Sequence, residues 1–276
     1  MEPKYFDVHS HVQFKAYDED RDETITRALS EGVHMMNVGT QKDTSKAAID
    51  LAEKYDGLYA AVALHPIHTS ASHHDEKELG EEGKAFTSRG EEFDSVYYEE
   101  LARHPKVKPI GECGLDYYRL DEETATRQKD VFIKHIEVAN KVGKPLMLHI
   151  RSGSGRSAYK DAADILREHS KVKGDVHFFA GSWEEAQLFL ELGFTLSFTG
   201  VLTFTKDYDE VVRNTPLDMI LAETDCPYIT PTPFRGKRNE PMHVREIYKA
   251  IARIKGEDEE KVRLQINANA QRVFNF

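Results

Sequence analysis

Residues 5–11 read YFDVHSH, with Phe6 and Val8 alternating with Asp7 and His9 before a second histidine at His11. On a strand, residues two apart share a face, so His9 and His11 can present two imidazoles to one ion. By itself the pair is weak, because His-X-His arises by chance and a lone strand histidine is more often a hydrogen-bonded core residue. The same grammar, a short apolar run closing on a possible ligand, recurs along the chain. Residues 107–115 (VKPIGECGL) carry Glu112, 145–150 (PLMLHI) His149, 175–179 (DVHFF) His177 and 219–225 (MILAETD) Asp225. Ligands gather at the carboxyl ends of strands in α/β sheets, so the pattern predicts a metal centre at the mouth of a parallel barrel.

Three further runs, 33–39 (VHMMNVG), 58–64 (LYAAVAL) and 194–198 (FTLSF), bring the strands to eight. Helical periods fall at 21–31, 44–55, 95–104, 122–142, 157–169, 183–192 and 208–214. One strand followed by one helix, repeatedly, is the pattern of βα units. At 276 residues the chain allots about 34 to each of eight units, comfortable for such a barrel. The fold class is therefore α/β: a (β/α)8 TIM-type barrel, regular or distorted, with 1–276 as the single domain of a metal-dependent enzyme. Residues 241–274 add a C-terminal helical extension broken at Gly256. Residues 67–94, rich in charge, Ser, Gly and His, break the rhythm and read as an inserted long loop after strand 3 at the catalytic face. A solvated loop carrying His68, His73 and His74 is the first reading, a lid the sharper one.

Asp plus Glu number 48 against 37 Lys plus Arg, a net charge of −11, which argues against a protein that passively coats nucleic acid. A nuclease stays open, since divalent cations and a local basic patch can neutralise phosphate at the point of reaction. No apolar stretch approaches the roughly 20 residues of a membrane span and the N-terminus lacks a secretory apolar core, so the expectation is a cytoplasmic protein off the membrane. No obligate protein partner is evident. Cys113 and Cys226 have no zinc-finger or disulfide spacing and read as buried reduced thiols.

Glu112 sits on an apolar run between glycines. A carboxylate buried there without a partner would cost several kcal/mol, so it needs a cation, a proton or an arginine. Its two oxygens could bridge two metals about 3.5–4 Å apart. His149 and His177, each ambiguous alone, make with Glu112 a nitrogen-rich second site. Asp225, just ahead of Cys226-Pro227, could ligate an ion and accept a proton from water, the alternative being a turn-capping aspartate.

Taken together, His9-Ser10-His11, Leu64-His65-Pro66, residues 111–118 (GECGLDYY), 148–151 (LHIR), 223–228 (ETDCPY) and 233–241 (PFRGKRNEP) resemble the TatD family of metal-dependent deoxyribonucleases, within the amidohydrolase-like barrels. The resemblance covers nearly the whole chain. It departs at His177-Phe178-Phe179-Ala180-Gly181, where the family often has His-Cys-Phe-Ser-Gly, and in the longer 67–94 loop. It implies one ion on His9, His11, Glu112 and Asp225 and a second on Glu112, His149 and His177, the metals being Zn, Mn, Ni or Mg. It implies Asp225, Glu112 and His65 as catalytic residues, and His65, Arg119, Arg151, Arg235, Lys237 and Arg238 as substrate-binding ones. Arg127 reads as a surface salt bridge. The activity implied is DNA phosphodiester hydrolysis by metal-bound hydroxide, as a 3′–5′ exonuclease on single-stranded DNA or 3′ ends. A hydrolase of a small phosphoester, lactone or amide on the same barrel is the alternative, followed by a non-catalytic metal-binding scaffold.

Overall fold

The computed structural model of the chain describes residues 3–74, 86–118, 122–153 and 155–276, with 72–74 and 86–89 given by their backbone. In chain order the strands are β1 (Tyr5–Ser10), β2 (Val33–Val38), β3 (Leu58–Val62), β4 (Ala71–His74), β5 (Phe86–Arg89), β6 (Val107–Asp116), β7 (Leu146–Arg151), β8 (Gly174–His177), β9 (Thr195–Phe198) and β10 (Ile220–Ala222). Eight of them form one sheet in the order β1-β2-β3-β6-β7-β8-β9-β10, with parallel neighbours throughout. The first and last are joined at the mouth, where the Asp225 N–H donates to His9 O and the His11 N–H to Cys226 O, each at 2.9 Å. The result is a TIM-type barrel.

Helices α1 (Arg21–Ser30), α2 (Lys42–Lys54), α3 (Ser95–Ala102), α4 (Glu122–Val142), α5 (Ala158–His169), α6 (Trp183–Glu191) and α7 (Asp209–Asn214) alternate with the barrel strands. The C-terminal extension is a pair, α8 (Val244–Lys255) and α9 (Glu259–Phe274), parted by Gly256 in the left-handed conformation that caps α8.

Alternation along the strands sorts the core into two compartments. Met35, Leu146, Leu148, Val176, Leu196 and Ile220 pack with helix residues such as Ile25, Phe132 and Ile251. Phe6, Val8, Met36, Val38, Ala61, Met147 and Leu221 fill the lumen together with Ala270 and Phe274 of α9. Phe276 stacks on Phe6 with ring centroids 4.5 Å apart. The end of the lumen away from the mouth is therefore filled, leaving the ligand-bearing strand ends open.

Two strands carry an irregularity beside a proposed ligand. Pairing of β1 with β2 slips by one residue between Asp7 and Ser10, and pairing of β6 with β7 slips between Ile110 and Cys113. An extra residue reverses the alternation, re-aiming the side chains that follow. Ile110 and Cys113, three apart, both join the outer core, which leaves Glu112 on the lumen side.

The expected elements are present, with three differences. β8 stops at His177 rather than Phe179, because Phe178 (φ 44°) adopts left-handed backbone that cannot continue a strand; β10 stops at Ala222 rather than Asp225, where its ladder with β9 ends at Phe198, and Asp225 itself is left-handed (φ 52°). The 67–94 insertion is not a bare loop: Pro66–His68 is a 3-10 turn, and β4 pairs with β5 as an antiparallel ladder. Residues 75–85 and the side chains of His73 and His74 lie outside what is described.

Candidate metal centre

The six proposed ligands meet at the mouth, arranged around Glu112. Its Oε2 lies 3.4 Å from His9 Nε2 and 3.8 Å from His11 Nε2. Its Oε1 lies 2.8 Å from His149 Nδ1, 3.2 Å from His65 Nε2 and 3.4 Å from His177 Nε2. Asp225 Oδ1 completes the first group at 3.5 Å from His11 Nε2 and 3.8 Å from His9 Nε2. One carboxylate thus offers one oxygen to each of two nitrogen sets.

The donors suit divalent ions. His9 Nε2 and His11 Nε2 face each other at 3.1 Å inside the protein, and His11 Nδ1 donates to Val38 O at 2.8 Å, so His11 turns a lone pair inward. A shared proton is poorly tolerated there: burial, then the neighbouring His177, lowers His9 to about 4. Burial opposes ionisation of Glu112, but His65, His9, His177 and the His149 hydrogen bond outweigh it and hold the carboxyl well below its ordinary range. Asp225 is lowered likewise, burial being overcome by its His11 hydrogen bond and by His177 and His9. A neutral His9 beside ionised carboxylates suits such an ion, and the proton that Glu223 and Glu112 hold on His177 against its burial would give way to a cation. His9, His11 and Asp225, and separately His65, Glu112 and His149, each bring three ligand atoms within 4.8 Å of one another.

Further residues aim the ligands. His149 Nε2 is 2.9 Å from Asp116 Oδ2, which turns Nδ1 toward Glu112. Burial opposes charge on His149, but the Asp116 and Glu112 hydrogen bonds raise it to about 9, and a cation at Nδ1 would replace that proton. Gln128 of α4 clamps Asp116, accepting from its N–H at 2.8 Å and donating to its carbonyl at 2.9 Å. Glycine at 114 (φ 142°) lets β6 approach β7 here, since a Cβ would stand 2.1 Å from His149 O.

Glu223 Oε1 lies 2.9 Å from His177 Nδ1. That nitrogen has no aligned hydrogen-bond partner, so the contact is one of charge. Glu223 accepts from the Phe178 N–H at 2.7 Å and from Ser197 Oγ at 2.8 Å, and Ser197 Oγ also lies 2.6 Å from Asp175 Oδ2. Buried beside Glu223, Asp175 is pushed up to about 7. Sequence reasoning gave Asp116, Glu223 and Gln128 no role. For Asp116 a signal existed, four residues from Glu112 on the same strand face; a helix glutamine clamping backbone leaves none.

A cavity of about 460 Å³ opens onto this centre, lined among others by His11, His65, His68, Glu112, Arg151, His177, Asp225 and Tyr228. His68 is buried there rather than solvated as expected, with its ring 5.9 Å from that of His65. His65 Nδ1 accepts from the Ile67 N–H at 3.2 Å, which puts the ring proton on Nε2, facing Glu112.

Of the expected substrate-binding cations, Arg151 lines the cavity, whereas Arg235, Lys237 and Arg238 do not. Arg238 departs furthest from the expectation: its guanidinium grips Asp20 through both oxygens at 2.6 and 2.7 Å, donates to Ala16 O and lies over the Tyr17 ring. It staples the segment before α1 to the loop before α8. Lys237 lines a separate surface pocket with Glu19 and Asp20, and Arg235 stacks on Phe204. Arg119 lies outside the described residues. Arg127 pairs with Glu123 on the surface of α4 at 2.9 Å.

A nearly closed parallel barrel with clustered His, Glu and Asp at its mouth is the setting of a metal-dependent hydrolase, and the family match bears this out. The chain belongs to the TatD family: the family model described as TatD related DNase matches residues 6–275. It is 38% identical over 276 residues to YabD of Bacillus subtilis, named an uncharacterized metal-dependent hydrolase, covering 98% of this chain and 99% of that one. It is 30% identical over 278 residues to YcfH of Escherichia coli K12, similarly named, covering 98% and 95%. In fold it matches the crystal structure of YJJV, a TatD homolog from Escherichia coli K12, with TM-score 0.80 at 24% identity over 100% of both chains. An organophosphorus hydrolase mutant shares the fold more distantly, with TM-score 0.60 at 11% identity over 98% of this chain and 92% of that one. Among the described residues no helix is long and apolar enough to cross a membrane.

Proposed function

We propose that this hydrolase cleaves DNA phosphodiester bonds with two divalent ions, one held by His9, His11, Glu112 and Asp225 and the other by Glu112, His149 and His177. The division of Glu112 between two sets of imidazoles carries the two-ion reading. The family description, TatD related DNase, supports DNA as the substrate, and 3′–5′ trimming of single strands belongs to the same proposal. Four imidazoles favour zinc, manganese or nickel over magnesium.

Divalent ions in such a site supply Lewis acidity, making a water acidic near neutral pH and drawing charge from phosphoryl oxygens. Asp225, held ionised, takes the proton as the water oxygen bonds to phosphorus. The bond from phosphorus to the 3′ oxygen breaks, and that oxygen is protonated from solvent. His65, on the cavity wall beside Glu112, binds a phosphoryl oxygen or passes a proton at the reacting phosphate. Arg151 on the cavity wall offers a charge to the scissile or adjoining phosphate.

The test is hydrolysis of 5′-labelled single-stranded DNA by metal-stripped protein, with magnesium, manganese and zinc restored separately. A metal-dependent ladder shortening from the 3′ end is expected. Hydrolysis of a small phosphodiester with no cleavage of DNA under any metal would replace the nuclease with a small-ester hydrolase.

A further inference from the structure

Among the described residues only four large apolar side chains are strongly exposed, and the two aromatic ones, Tyr118 at 43% and Phe204 at 46%, follow barrel strands at the mouth. Tyr118 comes two residues after β6 and Phe204 closes the 3-10 turn Gly200–Thr203 after β9. Each ring bears an arginine. The Arg151 guanidinium lies 3.9 Å from the Tyr118 ring centroid, and that of Arg235 lies 4.4 Å from the centroid of Phe204.

The two pairs have the same construction. In each, the ring comes from one strand's following loop and the arginine from the neighbouring strand or its loop, β7 for Arg151 and the segment after β10 for Arg235. The strand that ends in His177 lies between them, and Arg151 of the first pair lines the cavity. Arg235 is braced by donation to Thr230 O at 3.1 Å, and the Thr203 hydroxyl accepts from the Thr232 N–H at 2.8 Å, tying the Phe204 turn to the Arg235 loop. A guanidinium over one face holds a ring in place while the rest of the ring stays in solvent.

Exposed aromatic rings beside cationic side chains are what single-stranded nucleic acid uses: bases stack on the rings and phosphates meet the arginines. A small ester seated at the metal centre would need neither platform. Resting on the nuclease reading, we infer that Tyr118–Arg151 and Phe204–Arg235 are base-stacking platforms that hold a single strand on both sides of the scissile phosphate. This gives Arg235, which stands off the cavity, a substrate role one nucleotide or more from the reaction. It also explains how a chain with a net charge of −11 can hold a polyanion, by local stacking rather than by a basic field.

The experiment compares kcat/KM on an eight-nucleotide oligothymidylate with kcat/KM on ethyl 4-nitrophenyl phosphate, a diester with no flanking nucleotide, which serves as the reference for folding and metal loading. In Tyr118→Ala and Phe204→Ala the ratio of the two should fall by roughly 5- to 150-fold, mainly through KM, the range for losing one stacked base. Tyr118→Phe and Phe204→Tyr, which keep the ring, should hold the wild-type ratio. An unchanged ratio in both alanine variants, with wild-type DNA cleavage intact, overturns the platforms and leaves the nuclease standing. A wild-type protein that hydrolyses the small diester but no oligonucleotide overturns both.

Discussion

Glu112 serves two nitrogen sets because its oxygens point in different directions from one lumen-facing position. Replacing it with glutamine keeps the shape and removes the charge. Glu112→Gln should bind fewer than two ions per chain and lose more than about a hundredfold in diester turnover, beyond the cost usual for an outer-sphere residue. Metal analysis of the desalted protein beside a turnover assay checks both, and full metal content would count against bridging. Glu223 acts one step removed, on His177. Glu223→Gln should weaken metal binding by about 10- to 100-fold, read by competition with a chromophoric chelator, while saturating metal restores most of the turnover. Arg238 belongs to a different category, since its guanidinium is occupied by Asp20, Ala16 and Tyr17. Arg238→Met should lower stability by about 1 kcal/mol and leave KM for DNA unchanged. A raised KM at unchanged stability would return it to the substrate site.

At the scale of elements, α4 does more than cover the barrel, since Gln128 fixes the end of β6 by gripping both polar groups of the Asp116 backbone. Gln128→Leu leaves those buried groups unpaired and should cost about 1–3 kcal/mol in stability, with metal affinity falling alongside. Stability loss with unchanged affinity would show that Asp116 is held without it. The strands themselves were legible because the apolar runs are short, separated by amphipathic helices and closed by ligand-type residues. Asp225 and His177 were legible as site residues, whereas the left-handed turns that present Asp225 and Phe178 were not, because no glycine marks them. The slips in β1 and β6 were also hidden, since a bulge is defined by pairing with a neighbouring strand rather than by the strand's own sequence. The β4–β5 ladder escaped for a related reason: its strands are short and polar, so they show no apolar alternation.

For the whole molecule, stability is linked to pH and to metal. His135 of α4 is fully buried, accepting from the Leu64 N–H at 3.0 Å and donating to Val131 O at 2.8 Å, and burial lowers it to about 3. Its folded value lies below the roughly 6.5 of an unfolded histidine, so between the two the unfolded chain binds the extra proton and stability falls as pH falls. At pH 7 the group is neutral in both states and contributes no such loss. In metal-free protein the wild type should lose up to about 1.4 kcal/mol per pH unit more than His135→Gln between pH 6 and 4, by denaturant titration. Parallel profiles would contradict the assignment. Metal acts in the opposite sense, because ions that bind only the folded mouth add stability by mass action. Chelation should therefore lower Tm, and Glu112→Gln should blunt that shift. The most direct measurement is an anomalous-scattering crystal structure of protein loaded with zinc or manganese. Two peaks are expected, one among His9, His11 and Asp225 and the other among His149 and His177, with Glu112 touching both. A single peak, or two peaks that do not share Glu112, would contradict the bridged two-ion centre.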